Sequence, residues 1–228
     1  MGTGITTRWQ YKAAAALIIS WATLSAAAAP FSIGNETIEV PTPRGLVNAG
    51  GSPAVSEMGK RLTPSTMTSL GDFFTGKDLA AAETGGLANF KPQMWARVMT
   101  PGKPGQVVVL TAERWKTLPD ELAKVEAAAV TDRATKELEK TFGKVGLDAS
   151  NPQVTVVDDR MATMAFGGKV TVGESEFPIV AVMNLIRIKQ RLVMASVYRI
   201  VKGPDDITAA RSYAKDWGAA IEKANPAQ

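Results

Sequence analysis

Phe177–Ile188, FPIVAVMNLIRI, and Leu192–Val201, LVMASVYRIV, decide the fold. Read as two strands joined at Lys189-Gln190, they carry apolar residues on both faces. Ile179, Ala181, Met183 and Leu185 point one way; Val180, Val182 and Ile186 point the other. Leu192, Met194 and Ile200 oppose Val193, Ala195 and Val197 in the same manner. An antiparallel sheet with one wet face alternates apolar and polar residues. This pair does not, so both its faces need cover. A turn centred on Lys189-Gln190 pairs Arg187 with Leu192, Leu185 with Met194 and Val182 with Val197. A slip of one residue would exchange the faces.

Two helical stretches can supply the cover. Asp205–Ala224 places Ile207, Ala210, Ala214, Trp217 and Ile221 on one stripe. Asp205 and Asp206 stand at the end where the helix dipole favours acids. Leu118–Phe142 aligns Leu118, Leu122, Val125 and Ala129. The expected class is α+β, a three-layer α/β/α sandwich around a mostly antiparallel sheet.

Upstream, Phe31–Val40 reads as a hairpin around Gly34-Asn35. Ser52 and Pro53 open a helix running to about Leu62. Met67–Phe74 reads as a strand, and Lys77–Glu83 as a short helix ended by Gly85-Gly86. Gln93–Thr100 reads as a strand, while Val107–Leu110 fits either a strand or the lead into a helix. Val154–Val157, Met161–Phe166 and Lys169–Val172 read as three strands, with turns at Asp158-Asp159 and Gly167-Gly168.

The stretch from Met1 to Ala29 carries an address. Arg8 and Lys12 precede the apolar run Ala13–Leu24, followed by Ser25–Ala29, SAAAA. These are the parts of a secretory signal peptide. The run is short of the roughly 20 residues of a membrane span. Cleavage is expected close to Ala28 or Ala29. The remainder, Pro30 to Gln228, is of a length that forms one expected globular domain. Losing Arg8 and Lys12 lowers the formal charge from +4 to +2. That surplus is too small to argue for nucleic acid.

The chain has no cysteine and no histidine. It therefore has no disulfide, no thiolate metal site, no cysteine nucleophile and no lipidated cysteine after the leader. The commonest general base and metal ligand is also missing. No catalytic residue, metal or cofactor is expected. Asp158-Asp159-Arg160 lacks the spacing of a calcium loop and reads as a solvated turn. Ser212-Tyr213-Ala214-Lys215 matches S-x-x-K, but its partner motifs S-D-N and K-T-G are absent. Gly167-Gly168-Lys169 lacks the spacing of a phosphate loop. Trp95, Trp115 and Trp217 read as core.

The residues left for partner binding are Arg187, Lys189 and Arg191, a basic hairpin tip, together with Tyr198 and Arg199. The last two lie on opposite faces of a central strand, so one of them could line a cleft between sheet and helix.

The element order resembles the PsbP-like, DcrB-like α/β/α sandwiches of bacterial envelope proteins. The resemblance lies in the strand after the leader, the late strands PIVAVMNLIRI and RLVMASVYRIV, and the closing helix DDITAARSYAKDWGAAIEKAN. It implies the fold and no functional residue. The expected role is that of a periplasmic or secreted protein without a stable membrane anchor. It would bind an envelope protein or a small ligand as an accessory or assembly factor. A hydrolase using Ser, Asp, Glu or Lys, and a structural envelope protein, are the alternatives.

Overall fold

A computed structural model describes residues 29–86, 90–126, 132, 135, 145–172 and 174–226. The order begins β1 (Ala29–Ile33), β2 (Glu36–Val40), β3 (Val47–Asn48), α1 (Pro53–Arg61), β4 (Met67–Phe74), α2 (Gly76–Gly85) and β5 (Met94–Pro101). It continues α3 (Ala112–Ala123), β6 (Val145–Ala149), β7 (Gln153–Val156), β8 (Met161–Val172), β9 (Ser175–Ile188), β10 (Arg191–Ile200) and α4 (Pro204–Ala224). β1 and β2 form a separate hairpin. The main sheet runs β3-β4-β5-β10-β9-β8-β6, with β7 also on β8. Every pair among the described strands is antiparallel.

The strand pair that decides the fold is in the expected register: Arg187 faces Leu192, Leu185 faces Met194 and Val182 faces Val197. Lys189 and Gln190 alone form its turn, at φ 47° and 59°. Left-handed backbone at both central residues matches the twist of a tight hairpin, although neither is glycine.

The two faces are covered as the pattern demands. On one, Val180, Val182, Ile186, Val193, Ala195 and Val197 pack with Ala210, Ala214, Trp217 and Ile221 of α4, and with Ile33, Ile38 and Val40 of the hairpin. On the other, Met183, Leu185 and Leu192 pack with Trp115 of α3, with Leu118 and Leu122 against them. Farther along that second face, Val55 of α1 and Leu79 and Ala82 of α2 pack on Phe74. The result is an α+β sandwich of three layers.

Polar contacts fix α4. Trp217 is 4% exposed, meets the Phe73 ring edge-on at 5.8 Å and donates its indole N–H to Pro41 O at 2.8 Å. Asn184, wholly buried on β9, donates Nδ2–H to the carbonyl of Ala214 and accepts from the Thr163 hydroxyl at 2.9 Å. At the end of the helix, Asn225 accepts from Glu39 N–H at 3.0 Å and donates to Glu39 O at 2.7 Å, closing α4 onto β2.

Several expectations change. Gly167-Gly168 is not a turn; β8 runs straight through it. A Cβ on Gly168 would collide with the Asp148 carbonyl, so glycine there lets β6 approach. The helix expected from Leu118 starts at Ala112, because the Thr111 hydroxyl accepts the Arg114 N–H and caps it. Pro119 therefore lies inside the helix, which ends at Ala123. The expected continuation to Phe142 falls largely outside the described residues. Val107–Val109 belongs to neither a strand nor a helix. Ile207, expected on the buried stripe, is 38% exposed.

Trp217→Ala should cost about 3–5 kcal/mol, the range for large-to-small core changes. Lys215 lies on the exposed side of α4. Lys215→Ala should therefore stay within about 0.5 kcal/mol. Denaturant titrations of both variants compare them directly. Equal midpoints for Trp217→Ala and wild type would contradict the core assignment.

Candidate functional site

One end of the sheet gathers three of the five residues singled out by sequence. The β9–β10 turn presents Lys189 and Gln190, with Arg187 and Arg191 just behind it. Gln190 O accepts the Leu110 N–H at 2.8 Å, which ties the Val107–Leu110 segment to this tip. Leu110 is buried with Trp115 and Leu192, whereas Val107, Val108 and Val109 are 38, 45 and 52% exposed. At its other end the segment meets the β1–β2 turn. A Cβ on Gly34 would stand 2.6 Å from Val107 Cγ2, and Gly34 has φ 64°. The left-handed backbone favours glycine there, and a side chain would have to displace Val107. The sheet end is thus an exposed run of three valines pinned between two hairpin tips.

The cations around it differ in their commitments. Lys189 Nζ donates to Thr37 O at 3.2 Å and lies 3.8 Å from Glu36, so it fastens the first hairpin to the tip. Arg187 makes no ion pair among the described residues. Among the described residues Arg191 donates only to the neighbouring Gln190 O, at 3.2 Å. The Nε atoms of both arginines are buried without a hydrogen-bond partner among the described residues. The Glu113 carboxyl at the start of α3 is held below the usual range. Its own backbone N–H and the Thr111 hydroxyl are the larger causes, and Lys116 and Arg187 add to them. Nearby, Asp158 Oδ1 accepts the N–H groups of Arg160 and Met161, both at 2.8 Å. The Asp158-Asp159 pair therefore serves a turn.

Tyr198 and Arg199 sit toward the opposite end of β10. Tyr198 stacks on Trp95 at 5.1 Å, and burial raises its hydroxyl pKa. Arg199, on the α4 side, holds Asp206 with Nε and Nη2, both at 2.7 Å from Oδ1. Asp206 also accepts the N–H groups of Lys202 and Gly203. Those bonds, the Lys202 N–H first and Arg199 next, hold its carboxyl below the usual range. Arg199 thus ties the start of α4 to β10. Ser212 and Lys215 are both exposed on α4. Among the described residues no three acidic side chains gather as a metal site.

The most buried ionic cluster escaped the sequence reading. Arg97 Nε lies 2.8 Å from Asp72 Oδ1, an ion-pair contact whose angle falls short of a hydrogen bond. Arg97 also donates to Leu62 O at 3.0 Å, to Thr63 Oγ1 at 2.6 Å and to Gly59 O, closing the end of α1 onto the sheet. Burial raises the Asp72 carboxyl pKa, and the attraction of Arg97 opposes that rise. The available signal was a lone arginine between apolar neighbours in QMWARVMT. The cluster anchors a helix and presents no open face.

Asp72→Asn leaves the Arg97 charge buried without its counterion and should cost about 3–5 kcal/mol. The double change Asp72→Leu with Arg97→Met should recover much of that loss. Chemical denaturation of the single and double variants measures it, and a double variant less stable than the single one would contradict the assignment.

No family model matches the chain, and no curated protein does. Among solved structures it matches the 1.9 Å crystal structure of the Saccharomyces cerevisiae Ran-binding protein Mog1p at 12% identity and a TM-score of 0.29, over 86% of this chain and 90% of that one. A likeness at that score carries no inference about what this chain does.

Proposed function

We propose that this is an exported, non-enzymatic protein of the cell envelope that docks an acidic partner protein through the sheet end at Arg187, Lys189 and Arg191. The observation that carries the reading is the valine run. Val107–Val109 stands exposed between two hairpin turns, flanked by the arginines Arg187 and Arg191, which form no salt bridge within 4 Å among the described residues, while the Glu113 carboxylate feels the Arg187 charge from farther off. An apolar strip with a charged rim is the common anatomy of a protein interface, and the charges set orientation and on-rate. Lys189 contributes by holding the first hairpin in place. The left-handed Lys189-Gln190 turn supports the same reading. Non-glycine residues in that conformation carry strain, and such strain clusters at functional positions.

Export rests on the leader-like residues Arg8 to Ala29. β1 begins at Ala29, so cleavage at the expected place leaves its pairing with Val40 or starts one residue inside it. No helix among the described residues is long and apolar enough to cross a membrane. The resemblance to PsbP-like, DcrB-like envelope proteins fits this location. An accessory or assembly role follows from docking without catalysis.

Two measurements test the proposal. N-terminal sequencing of the envelope-derived protein should find Ala29 or Pro30 first; a full-length N-terminus in the membrane fraction would make the leader an anchor. A pull-down from envelope extract should retain a partner whose binding weakens with added salt. Reversing both charges, Arg187→Glu with Arg191→Glu, should weaken that binding by at least about tenfold. The same change should lower stability by no more than the roughly 1 kcal/mol typical of point substitutions. Equal retention by the charge-reversed protein would refute the docking site.

A further inference from the structure

We infer that a cleft of about 160 Å³ between α4 and the start of β9 is a binding site for a small monocarboxylate with a single-ring or short branched apolar body. It lies at the end of the sheet away from the Lys189-Gln190 turn, and nothing in the docking proposal depends on it. Ala165 and Gly167 of β8 form its floor, and Val180, Val201 and Ile207 form its apolar walls. Arg211 stands at the rim, donating to Gln153 Oε1 at 2.8 Å. Among the described residues Arg211 has no carboxylate partner.

The two adjacent glycines of β8 show that this space is built in. Gly168 must be glycine, because β6 passes too close for a Cβ. Gly167 faces no such limit. A Cβ there would meet nothing nearer than Ile179 O at 4.0 Å, and its backbone is not left-handed. A strand interior gains stability from a β-branched residue over glycine, so a glycine with room for a side chain leaves packing unused. That missing side chain leaves the floor of the cleft open. It also accounts for Ile207, which follows the stripe of Ala210 and Ala214 yet stays exposed over an empty floor. A cavity of this size takes one aromatic ring. Apolar walls with one convergent charged group are the usual form of a small-ligand site, and a guanidinium whose charge no carboxylate balances among the described residues selects a carboxylate.

The probes are sodium benzoate and, as its uncharged counterpart, benzyl alcohol, each followed through the backbone amide shifts of Gly167 and Ile207. The wild-type protein should bind benzoate with a Kd on the order of a millimolar, as a ligand of so few atoms allows. Gly167→Val should fill the floor, raise the unfolding temperature and abolish binding of both probes. Arg211→Met should weaken benzoate at least about tenfold while leaving benzyl alcohol unchanged, which also shows that the variant is folded. The inference is overturned if saturating benzoate leaves those amides unmoved, if Gly167→Val binds as wild type does, or if Arg211→Met keeps its benzoate affinity.

Discussion

A pair of central strands that is apolar on both faces cannot leave either face in water. Each buried valine, leucine or isoleucine contributes about 1.5–3 kcal/mol relative to exposure, so uncovering one side of β9–β10 would forfeit more than a typical domain's net stability. The helices are bound by this. α4 and the β1–β2 hairpin close one side of the pair and α3 closes the other, while α1 and α2 continue that second layer over Phe74 of β4. β10 lies in the middle of the strand order and contributes to both cores.

Two of these helices dock in the same physical way on opposite faces. Each brings a glycine against the sheet and each has a backbone carbonyl taken by a polar side chain from a strand. On α4, a Cβ at Gly218 would lie 2.6 Å from Asn184 Nδ2, and Asn184 donates to the Ala214 carbonyl. On α1, a Cβ at Gly59 would lie 2.5 Å from Asp72 Oδ2, and Arg97 donates to the Gly59 and Leu62 carbonyls. Apolar burial presses a helix onto a sheet without choosing its position. A buried polar group that must find its acceptor does choose it, because leaving that group unpaired costs about 1–3 kcal/mol.

The layered architecture and its central register were legible because they rest on alternation, which a sequence displays directly. Val182 opposite Val197 followed from a tight turn and a side-chain period of two. The docking polar groups were less legible. Asn184 interrupts the face formed by Val182 and Ile186, and Arg97 interrupts that of Trp95 and Met99. A polar residue within an apolar run announces a partner without naming it. Gly167-Gly168 misled because a glycine pair in a loop and a glycine pair inside a strand read alike. The functional surface was half legible. The basic tip stood out as charge at a turn, but the valines beside it arrive from far earlier in the chain through a segment with no regular structure. Tyr198 and Arg199, also marked by sequence, are held by Trp95 and Asp206.

The two proposed functional surfaces lie at opposite ends of the strands, and both depend on where α4 sits. The helix closes onto β2 through Asn225 near the first and leaves Ile207 and Arg211 over the open floor of the second. The most direct test of its placement is the stability of Gly218→Ala. Helix propensity alone favours alanine over glycine by about 1 kcal/mol. Gly218 docks closely against Asn184 and Met161. The added methyl is then an overpacking change costing about 1–3 kcal/mol. Denaturant titration should therefore show Gly218→Ala less stable than wild type. A variant more stable by about the propensity difference would mean that α4 does not dock on Asn184.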